Sequence, residues 1–136
     1  TPEIKTTDYT ICLEAYGIAE DNDCFEAILL DNNNQVLEGS RSNVFWVQEK
    51  KLFTRDGDVL PGVTRQTVIS RSPFSIFYGQ LNQLDFDRLN EIFLTNSGSG
   101  IIPVVKVNSI QIGTGKPGPV TVELLKVYDG WLNNEI

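Results

Sequence analysis

The stretch Leu37-Glu38-Gly39-Ser40-Arg41-Ser42-Asn43-Val44-Phe45 says more about the fold than any other part of this sequence. It predicts a strand that ends at Glu38, a turn of small polar residues, and a second strand from Val44. An acid at a strand end before such residues is typical of a binding site, because the backbone there lets a ligand approach. A solvent-facing strand end followed by a turn explains the same residues equally well when they are considered alone.

Helices and strands alternate irregularly on both sides of this stretch. Apolar residues at helical spacing predict a first helix over residues 8–20. A proline-glycine pair precedes a second predicted helix at 63–71, helical turns are predicted at 85–90, and a last helix begins at Pro119. The predicted strands cover residues 25–31, 35–38, 44–47, 51–54, 75–78, 91–95, 104–107 and 110–112. This order predicts one domain over residues 1–136, of α/β or α+β class, rather than a doubly wound sheet.

The composition is that of an ordinary soluble globular protein. Of the 136 residues, 40% are hydrophobic and 21% are charged. The formal net charge of −7 argues against a nucleic-acid partner, because phosphate backbones are bound by a surplus of Lys and Arg. No apolar stretch is long enough to cross a bilayer, so no membrane partner is expected.

The sequence contains no histidine and only two cysteines, Cys12 and Cys24. Without histidine, Ser-His and Cys-His catalytic pairs are excluded and no metal site is expected. The two thiols lack metal-ligand spacing and fit a reducing cytoplasm, which is the predicted location. An enzyme of this composition must move protons with lysine, tyrosine or a carboxylate.

Two segments have features of an anion-binding site. The helix start at residues 60–65 would present free backbone N–H groups, which together with the helix dipole favour a phosphate. The loop at residues 97–100 offers hydroxyls and amides that could close on the same group. Taken alone, a Pro-Gly helix start is more often just a helix start, and a Ser/Gly loop is more often just a turn.

Lys5 is a candidate only through its context. A lysine near a chain start is normally a solvated charge. It acts as a nucleophile when desolvation or nearby positive charge holds it near neutral. Composition alone shows neither condition.

Taken in order, these segments resemble the class IV aminotransferases. This fold-type IV family of pyridoxal-phosphate enzymes includes branched-chain aminotransferases, D-amino acid aminotransferases and aminodeoxychorismate lyases. The matching segments are residues 5–9, 25–31, 37–45, 60–65, 90–95, 102–104 and 118–121. The resemblance implies the large C-terminal domain of these enzymes, in which a mixed sheet forms a pseudo-barrel with flanking helices.

The resemblance also implies a role for each site residue. Lys5 would hold pyridoxal 5'-phosphate as a Schiff base and shuttle the proton at the substrate α-carbon. Glu38 would face the pyridine nitrogen and keep it protonated, so that the ring accepts electrons. Other roles follow the family pattern: Val63, Thr64 and Ser97 at the cofactor phosphate, Tyr9 at the ring hydroxyl, Gly98 beside the substrate carboxylate, and Arg65 and Asn43 as structural residues. Arg41, beside the site, is a candidate for contacting an acid group of the substrate.

The implied reaction is transamination between an amino acid and a 2-oxo acid, carried out by a homodimer. A lyase acting on aminodeoxychorismate with the same cofactor, and a non-catalytic relative that kept the scaffold, are the alternatives. The family's N-terminal small domain, which supplies an arginine to the phosphate and much of the substrate pocket, has no counterpart in this sequence. We therefore expect the chain by itself to be inactive.

Overall fold

A computed structural model describes residues 10–15, 26–57, 59 and 62–134, with only the backbone described at 10–15 and 132–134. The strands in these residues are β1 (Thr10–Ala15), β2 (Glu26–Leu30), β3 (Val36–Gly39), β4 (Asn43–Gln48), β5 (Lys51–Thr54), β6 (Ile76–Tyr78), β7 (Glu91–Asn96), β8 (Gly100–Val107) and β9 (Ile110–Gln111). The helices are α1 (Val63–Arg71) and α2 (Pro119–Asn134), and a short 3-10 helix covers Gln83–Arg88.

The strands form one mixed sheet. Their order is β3-β2-β1-β8-β7-β4-β5-β6, and β9 pairs with β8. All neighbours are antiparallel except β5 and β6, which are parallel. A parallel pair needs a long crossover connection, and α1 lies in the one between β5 and β6. The predicted class, a mixed sheet with flanking helices, is confirmed.

The sheet curls because two strands far apart in its order are consecutive in the chain. β3 is the first strand of the order and β4 is the sixth. Gly39 and Ser42 form an antiparallel bridge, and only Ser40 and Arg41 separate them. The end of β3 must therefore lie beside the start of β4, so the strands from β3 to β4 surround a common interior. This is the predicted pseudo-barrel.

Both faces of the central strands are buried. Alternate residues of each strand fill the interior of the curled sheet, and the others face α1 and α2. The interior cluster includes Ile28, Leu30, Val36, Val44, Trp46, Ile92, Leu94, Ile102, Val104 and Val107. The helix-facing cluster includes Phe45, Val47, Leu52, Phe93 and Ile101, packed with Val68 of α1 and Leu124 of α2. Burial on two faces explains why β4 and β7 read as continuous apolar runs rather than alternating ones.

Most predicted elements lie within two residues of their expected positions, and α1 has the predicted bounds. One difference concerns β8, which begins at Gly100 rather than at residue 104. Pro103 lacks a backbone donor, which is unusual inside a strand. Its neighbours Ile102 and Ile101 nevertheless pair with Leu94 and Thr95 of β7. Pairing and burial against β7 therefore extend the strand through the proline.

The prediction of a helix over residues 8–20 is wrong for residues 10–15, which form β1; the remainder of that range lies outside the described residues. β1 sits between β2 and β8 and pairs with both. Hydrogen bonding along two edges outweighs the helical spacing of Cys12 and Ala15. The β-branched side chains of Thr10 and Ile11 also favour an extended backbone.

Asp31 anchors the turn between β2 and β3. Its Oδ1 accepts hydrogen bonds from the N–H groups of Asn33 (2.8 Å) and Gln35 (3.0 Å), and its Oδ2 lies 3.3 Å from Nη1 of Arg55. Arg55 is buried and also donates to the carbonyl of Val36, at 3.1 Å. Burial raises the pKa of the Asp31 carboxyl, but the backbone N–H groups and Arg55 together hold that pKa below its ordinary value.

Replacing Asp31 with asparagine should destabilise the fold in a pH-dependent way. The amide oxygen keeps the bonds from Asn33 and Gln35, whereas the amide nitrogen faces Arg55 as a second donor. We expect a loss of about 2 kcal/mol in the free energy of unfolding at neutral pH, measured by urea titration. The same change at exposed Asp56 serves as the control.

The pH dependence has a definite sign. The pKa of Asp31 is lower in the folded than in the unfolded protein, so its contribution is complete above the unfolded-state value of about 4. It disappears as the pH falls through the folded-state pKa. The difference between wild type and variant should therefore shrink in acid. A difference that stays constant down to acid unfolding would contradict this account.

Candidate functional site

A cavity of about 290 Å³ opens where three segments meet: the β3–β4 connection, the start of α1, and the turn after β7. Its lining residues are Glu38, Gly39, Ser40, Arg41, Ser42, Asn43, Gly62, Val63, Thr95, Asn96 and Ser97. The topology explains the meeting, because Asn43 at the start of β4 pairs with Thr95 at the end of β7. The predicted acid and the two predicted anion-binding segments therefore border the same space.

A β-bulge directs the side chain of Glu38. Leu30 pairs with Val36, whereas the preceding residue, Leu29, pairs with Glu38, so Leu37 is an additional residue in β3. Paired residues share a face of the sheet, and Leu29 and Leu30 point to opposite faces. Glu38 therefore faces away from the interior that Val36 fills. It lines the cavity as a buried carboxylate, with 5% of its surface exposed.

The start of α1 forms the second wall. Gly62 is its N-cap and provides no side-chain hydrogen bond, so the first N–H groups of the helix are not capped by a side chain of that residue. The first turn contains no acidic residue that would oppose an anion. A Cβ atom on Gly62 would lie 2.6 Å from Oδ1 of Asn43, so the helix start packs tightly against β4.

The turn between β7 and β8 is held to α1 by Thr64. The buried hydroxyl of Thr64 donates to the carbonyl of Asn96 at 3.0 Å. The side chain of Asn96 in turn accepts the N–H of Ser99 at 2.6 Å, a common way for Asn to fix a turn. Gly100 follows with φ of 74°, and a Cβ there would lie 2.7 Å from the ring of Tyr128 in α2. Ser97 is thereby fixed beside the helix start.

The β3–β4 turn is organised by Glu26 of β2. The carboxylate accepts hydrogen bonds from the hydroxyls of Ser40 and Ser42 and from the N–H of Arg41, at 2.9 Å for the last. The side chain of Arg41 is 77% exposed, and its Nε lies 4.0 Å from the same carboxylate. The backbone of Arg41 is therefore fixed while its side chain extends from the cavity wall into solvent.

The structure brings together most of the sequence-predicted site residues. Glu38, Arg41, Val63 and Ser97 line the cavity. Thr64 adjoins it through its bond to Asn96, and Gly98 follows Ser97 in the same turn without lining the cavity. Lys5 and Tyr9 lie outside the described residues. Arg65 is buried and donates to the carbonyl of Arg55 at 2.9 Å.

Sequence reasoning missed two residues at this site, Glu26 and Thr95. Glu26 reads as one acid in an apolar strand, and only the folded chain brings it to the β3–β4 turn. Thr95 is 1% exposed, and its hydroxyl has no hydrogen-bond partner among the described residues. Buried polar atoms are nearly always paired, so an unpaired hydroxyl in a cavity wall marks a place for a ligand or water.

The site combines a buried carboxylate with a helix start whose first turn contains no acidic residue. Glu38 suits a protonated ring nitrogen or another cationic donor, whereas the α1 start and the hydroxyl of Ser97 suit a phosphate. Within the part of the chain that the structure describes, no cluster of His, Cys, Asp or Glu could hold a metal ion. Neither α1 nor any other helix in those residues is long and apolar enough to span a membrane.

The fold and the cavity thus define a mixed α/β domain whose cavity has a buried carboxylate in one wall and a helix N-terminus in another. The sequence profile described as Amino-transferase class IV matches residues 1–107. This chain belongs to the class IV aminotransferase family, as the sequence resemblance predicted.

Several relatives are branched-chain aminotransferases by name. "Probable branched-chain-amino-acid aminotransferase" of Thermotoga maritima is 37% identical over 122 residues, which cover 82% of this chain and 43% of that protein. The branched-chain-amino-acid aminotransferase of Escherichia coli K12 is 31% identical over 115 residues, covering 81% of this chain and 37% of the relative. The chain therefore spans less than half the length of these relatives.

Solved structures show the same architecture. The branched-chain amino acid aminotransferase from Escherichia coli has a TM-score of 0.72 and 31% identity, over 77% of this chain and 37% of that one. The T.th. branched-chain amino acid aminotransferase complexed with N-(5'-phosphopyridoxyl)-L-glutamate has a TM-score of 0.70 and 29% identity, over 76% and 36% of the two chains.

Proposed function

We propose that this chain is the C-terminal cofactor-binding domain of an enzyme that transfers an amino group between an amino acid and a 2-oxo acid with pyridoxal 5'-phosphate. The observation that carries the proposal is the cavity lined jointly by buried Glu38, by the start of α1 and by Ser97. Membership of the class IV family and the phosphopyridoxyl ligand of the T.th. relative support it.

The donor set of the cavity fits this cofactor. The backbone N–H groups of Val63 and Thr64 and the hydroxyl of Ser97 would hold the phosphate at a helix N-terminus, where its charge is favoured. Glu38 would hold the protonated pyridine nitrogen, because a carboxylate beside it keeps the proton in place. The buried hydroxyl of Thr95 offers a further unpaired hydrogen-bonding group in the wall.

The reaction divides between the cofactor and the protein. When bound, the cofactor supplies an electron sink for the negative charge that develops at the substrate α-carbon. Lys5 would attach the cofactor through Nζ and then move the proton at the α-carbon, which requires a near-neutral amine. Glu38 would preserve the sink by keeping the ring nitrogen protonated, and Tyr9 would donate to the ring hydroxyl. Gly98, next to Ser97, would let the substrate carboxylate approach the backbone.

The proposed enzyme needs more protein than this chain. The curated relatives are more than twice as long as the aligned region, so we infer an N-terminal small domain that completes the phosphate site and the substrate pocket. The proposed assembly is a cytoplasmic homodimer of the full-length protein. The isolated chain would then contain only part of the cofactor site and would lack much of the substrate pocket. We therefore expect it to lack transaminase activity.

Arg41 is the proposed contact for an acidic substrate group. Its backbone is fixed by Glu26, and its exposed guanidinium extends from the cavity wall. A guanidinium in this position pairs with a carboxylate in a bidentate manner. An acidic co-substrate such as glutamate or 2-oxoglutarate fits such a contact better than a neutral one.

The attachment of the cofactor predicts a single labelled lysine. The full-length protein would be incubated with pyridoxal 5'-phosphate, reduced with borohydride and analysed by intact mass and peptide mapping. We expect one adduct, confined to Lys5 and absent from the Lys5→Ala variant. The chain by itself, treated in the same way, shows whether this domain binds without the N-terminal half. Labelling scattered over several lysines of the full-length protein, or none at all, would overturn the cofactor assignment.

The role of Arg41 predicts a selective change in kinetics. In the full-length protein Arg41→Ala should raise KM for acidic substrates about tenfold, equivalent to about 1.4 kcal/mol, and leave KM for neutral amino acids nearly unchanged. Exposed Arg88, replaced in the same way, controls for the loss of a surface charge. If the change leaves KM unaltered for acidic as well as for neutral substrates, Arg41 has no role in binding the substrate.

Release of 4-aminobenzoate from aminodeoxychorismate by the full-length protein, without transamination, would instead indicate the lyase.

A further inference from the structure

Glu26 is a buried acid that has no role in the proposed reaction. It lies in β2, is 6% exposed, and receives hydrogen bonds on both carboxylate oxygens. Oε1 accepts the hydroxyl of Ser40 and the N–H of Ala27 at 3.1 Å. Oε2 accepts the N–H of Arg41 at 2.9 Å and the hydroxyl of Ser42 at 3.2 Å. Burying a carboxylate is costly, so such an arrangement persists only where the donors around it offset the desolvation.

Three of these four donors belong to the β3–β4 turn. That turn contributes Ser40, Arg41 and Ser42 to the cavity wall, with Glu38 and Gly39 of β3 on one side of it and Asn43 of β4 on the other. A Cβ atom on Gly39 would lie 2.1 Å from Oγ of Ser42 and 3.2 Å from Oε2 of Glu26. The turn is therefore packed directly onto the carboxylate, without space for a side chain between them.

The ion pair with Arg41 does not explain Glu26. The Nε–Oε1 distance is 4.0 Å and the arginine side chain is 77% exposed, so solvent screens the attraction. What Glu26 provides is a set of acceptors at fixed positions for two hydroxyls and a backbone amide. These acceptors set the path of the chain between Glu38 and Asn43.

We propose that Glu26 is a positioning residue for the cofactor site. Its carboxylate fixes the β3–β4 turn, and the turn fixes the carboxylate of Glu38 and the backbone of Arg41 at the cavity. This inference rests on the proposed function, because it assigns the fixed turn to the binding of pyridoxal 5'-phosphate. Glu26 itself does not line the cavity and acts through its neighbours.

A glutamine cannot replace Glu26, for a geometric reason. Each carboxylate oxygen accepts one hydroxyl and one backbone N–H. A hydroxyl can rotate and accept from an amide NH₂, but a backbone N–H cannot. Whichever way the glutamine amide is turned, its NH₂ faces either the N–H of Ala27 or the N–H of Arg41. In either orientation the side chain must move away from one of these N–H groups, so the turn loses acceptors at fixed positions.

Glu91 provides a matched control. It is also a buried strand glutamate, 4% exposed, whose oxygens accept the N–H groups of Val120 (3.1 Å) and Thr121 (2.7 Å) and the hydroxyl of Thr121. It caps the start of α2 and does not line the cavity. Glu91→Gln creates the same donor conflict at a similar burial, so it reproduces any general loss of stability without touching the proposed site.

The test compares Glu26→Gln and Glu91→Gln in the full-length protein. The readouts are the Kd for pyridoxal 5'-phosphate from absorbance titration and the unfolding midpoint of the cofactor-free protein. Both variants should lower the unfolding midpoint. Glu26→Gln should weaken cofactor affinity at least tenfold, whereas Glu91→Gln should change it less than twofold. Equal cofactor affinities in the two variants would overturn the positioning role.

A milder variant covers the case in which Glu26→Gln does not fold. Ser42→Ala removes one of the donors to the carboxylate and leaves the charge in place. We expect it to fold and to weaken cofactor affinity about threefold; affinity equal to that of wild type would overturn the proposal. Wild-type protein that binds no cofactor at Lys5 would overturn the proposed function and this inference together, whereas wild-type binding with unaffected variants overturns the inference alone.

Discussion

The short connection from β3 to β4 is the constraint on which the rest of the structure depends. It joins the first and sixth strands of the sheet order across only three residues, and the sheet must curl to allow it. Curling creates the interior that Val36, Trp46 and Leu94 fill. The same connection forms one wall of the cavity, so the residues that close the sheet also line the site. Glu26 is the side chain that holds the connection in place.

The second wall depends on the opposite face of the same strands. Phe45 and Phe93 stack with ring centroids 4.9 Å apart, and their cluster packs against Val68 of α1. This packing fixes the helix axis, while the bond from Thr64 to Asn96 fixes its first turn against the end of β7. An anion site made of backbone N–H groups needs such support, because the groups themselves cannot adjust. The interior core therefore fixes the wall formed by the β3–β4 connection, and the helix-facing core fixes the wall formed by the start of α1.

Local features of the sequence predicted most elements, because the turn residues and the apolar runs indicate the same element boundaries. The runs at β4 and β5 flank Glu49 and Lys50, both at positive φ in a tight turn, and Pro61-Gly62 precedes α1. β1 was predicted as a helix because Cys12 and Ala15 recur at helical spacing, whereas its pairing with two neighbouring strands favours the extended backbone. Strand order could not be derived from periodicity, and the pseudo-barrel came from the family resemblance.

The candidate site was predictable in its parts and not in its assembly. Residue types identified Glu38, the helix start and the Ser97 turn as separate candidates, each with a plain structural explanation. Leu37 shows why more could not be derived: whether Glu38 faces the interior or the cavity depends on the bulge in β3, which appears only in the pairing with β2. Glu26 contacts residues distant in sequence, and the burial of the Thr95 hydroxyl appears only in the folded chain, so no local pattern marks either one.

The most direct test of the central claim is a crystal structure of the full-length protein with pyridoxal 5'-phosphate bound. We predict the pyridine nitrogen within about 3 Å of a carboxylate oxygen of Glu38 and the phosphate on the N–H groups of Val63 and Thr64. The β3–β4 turn should retain its bonds to Glu26. A cofactor bound at another cavity, or one whose ring nitrogen lies away from Glu38, would contradict the account.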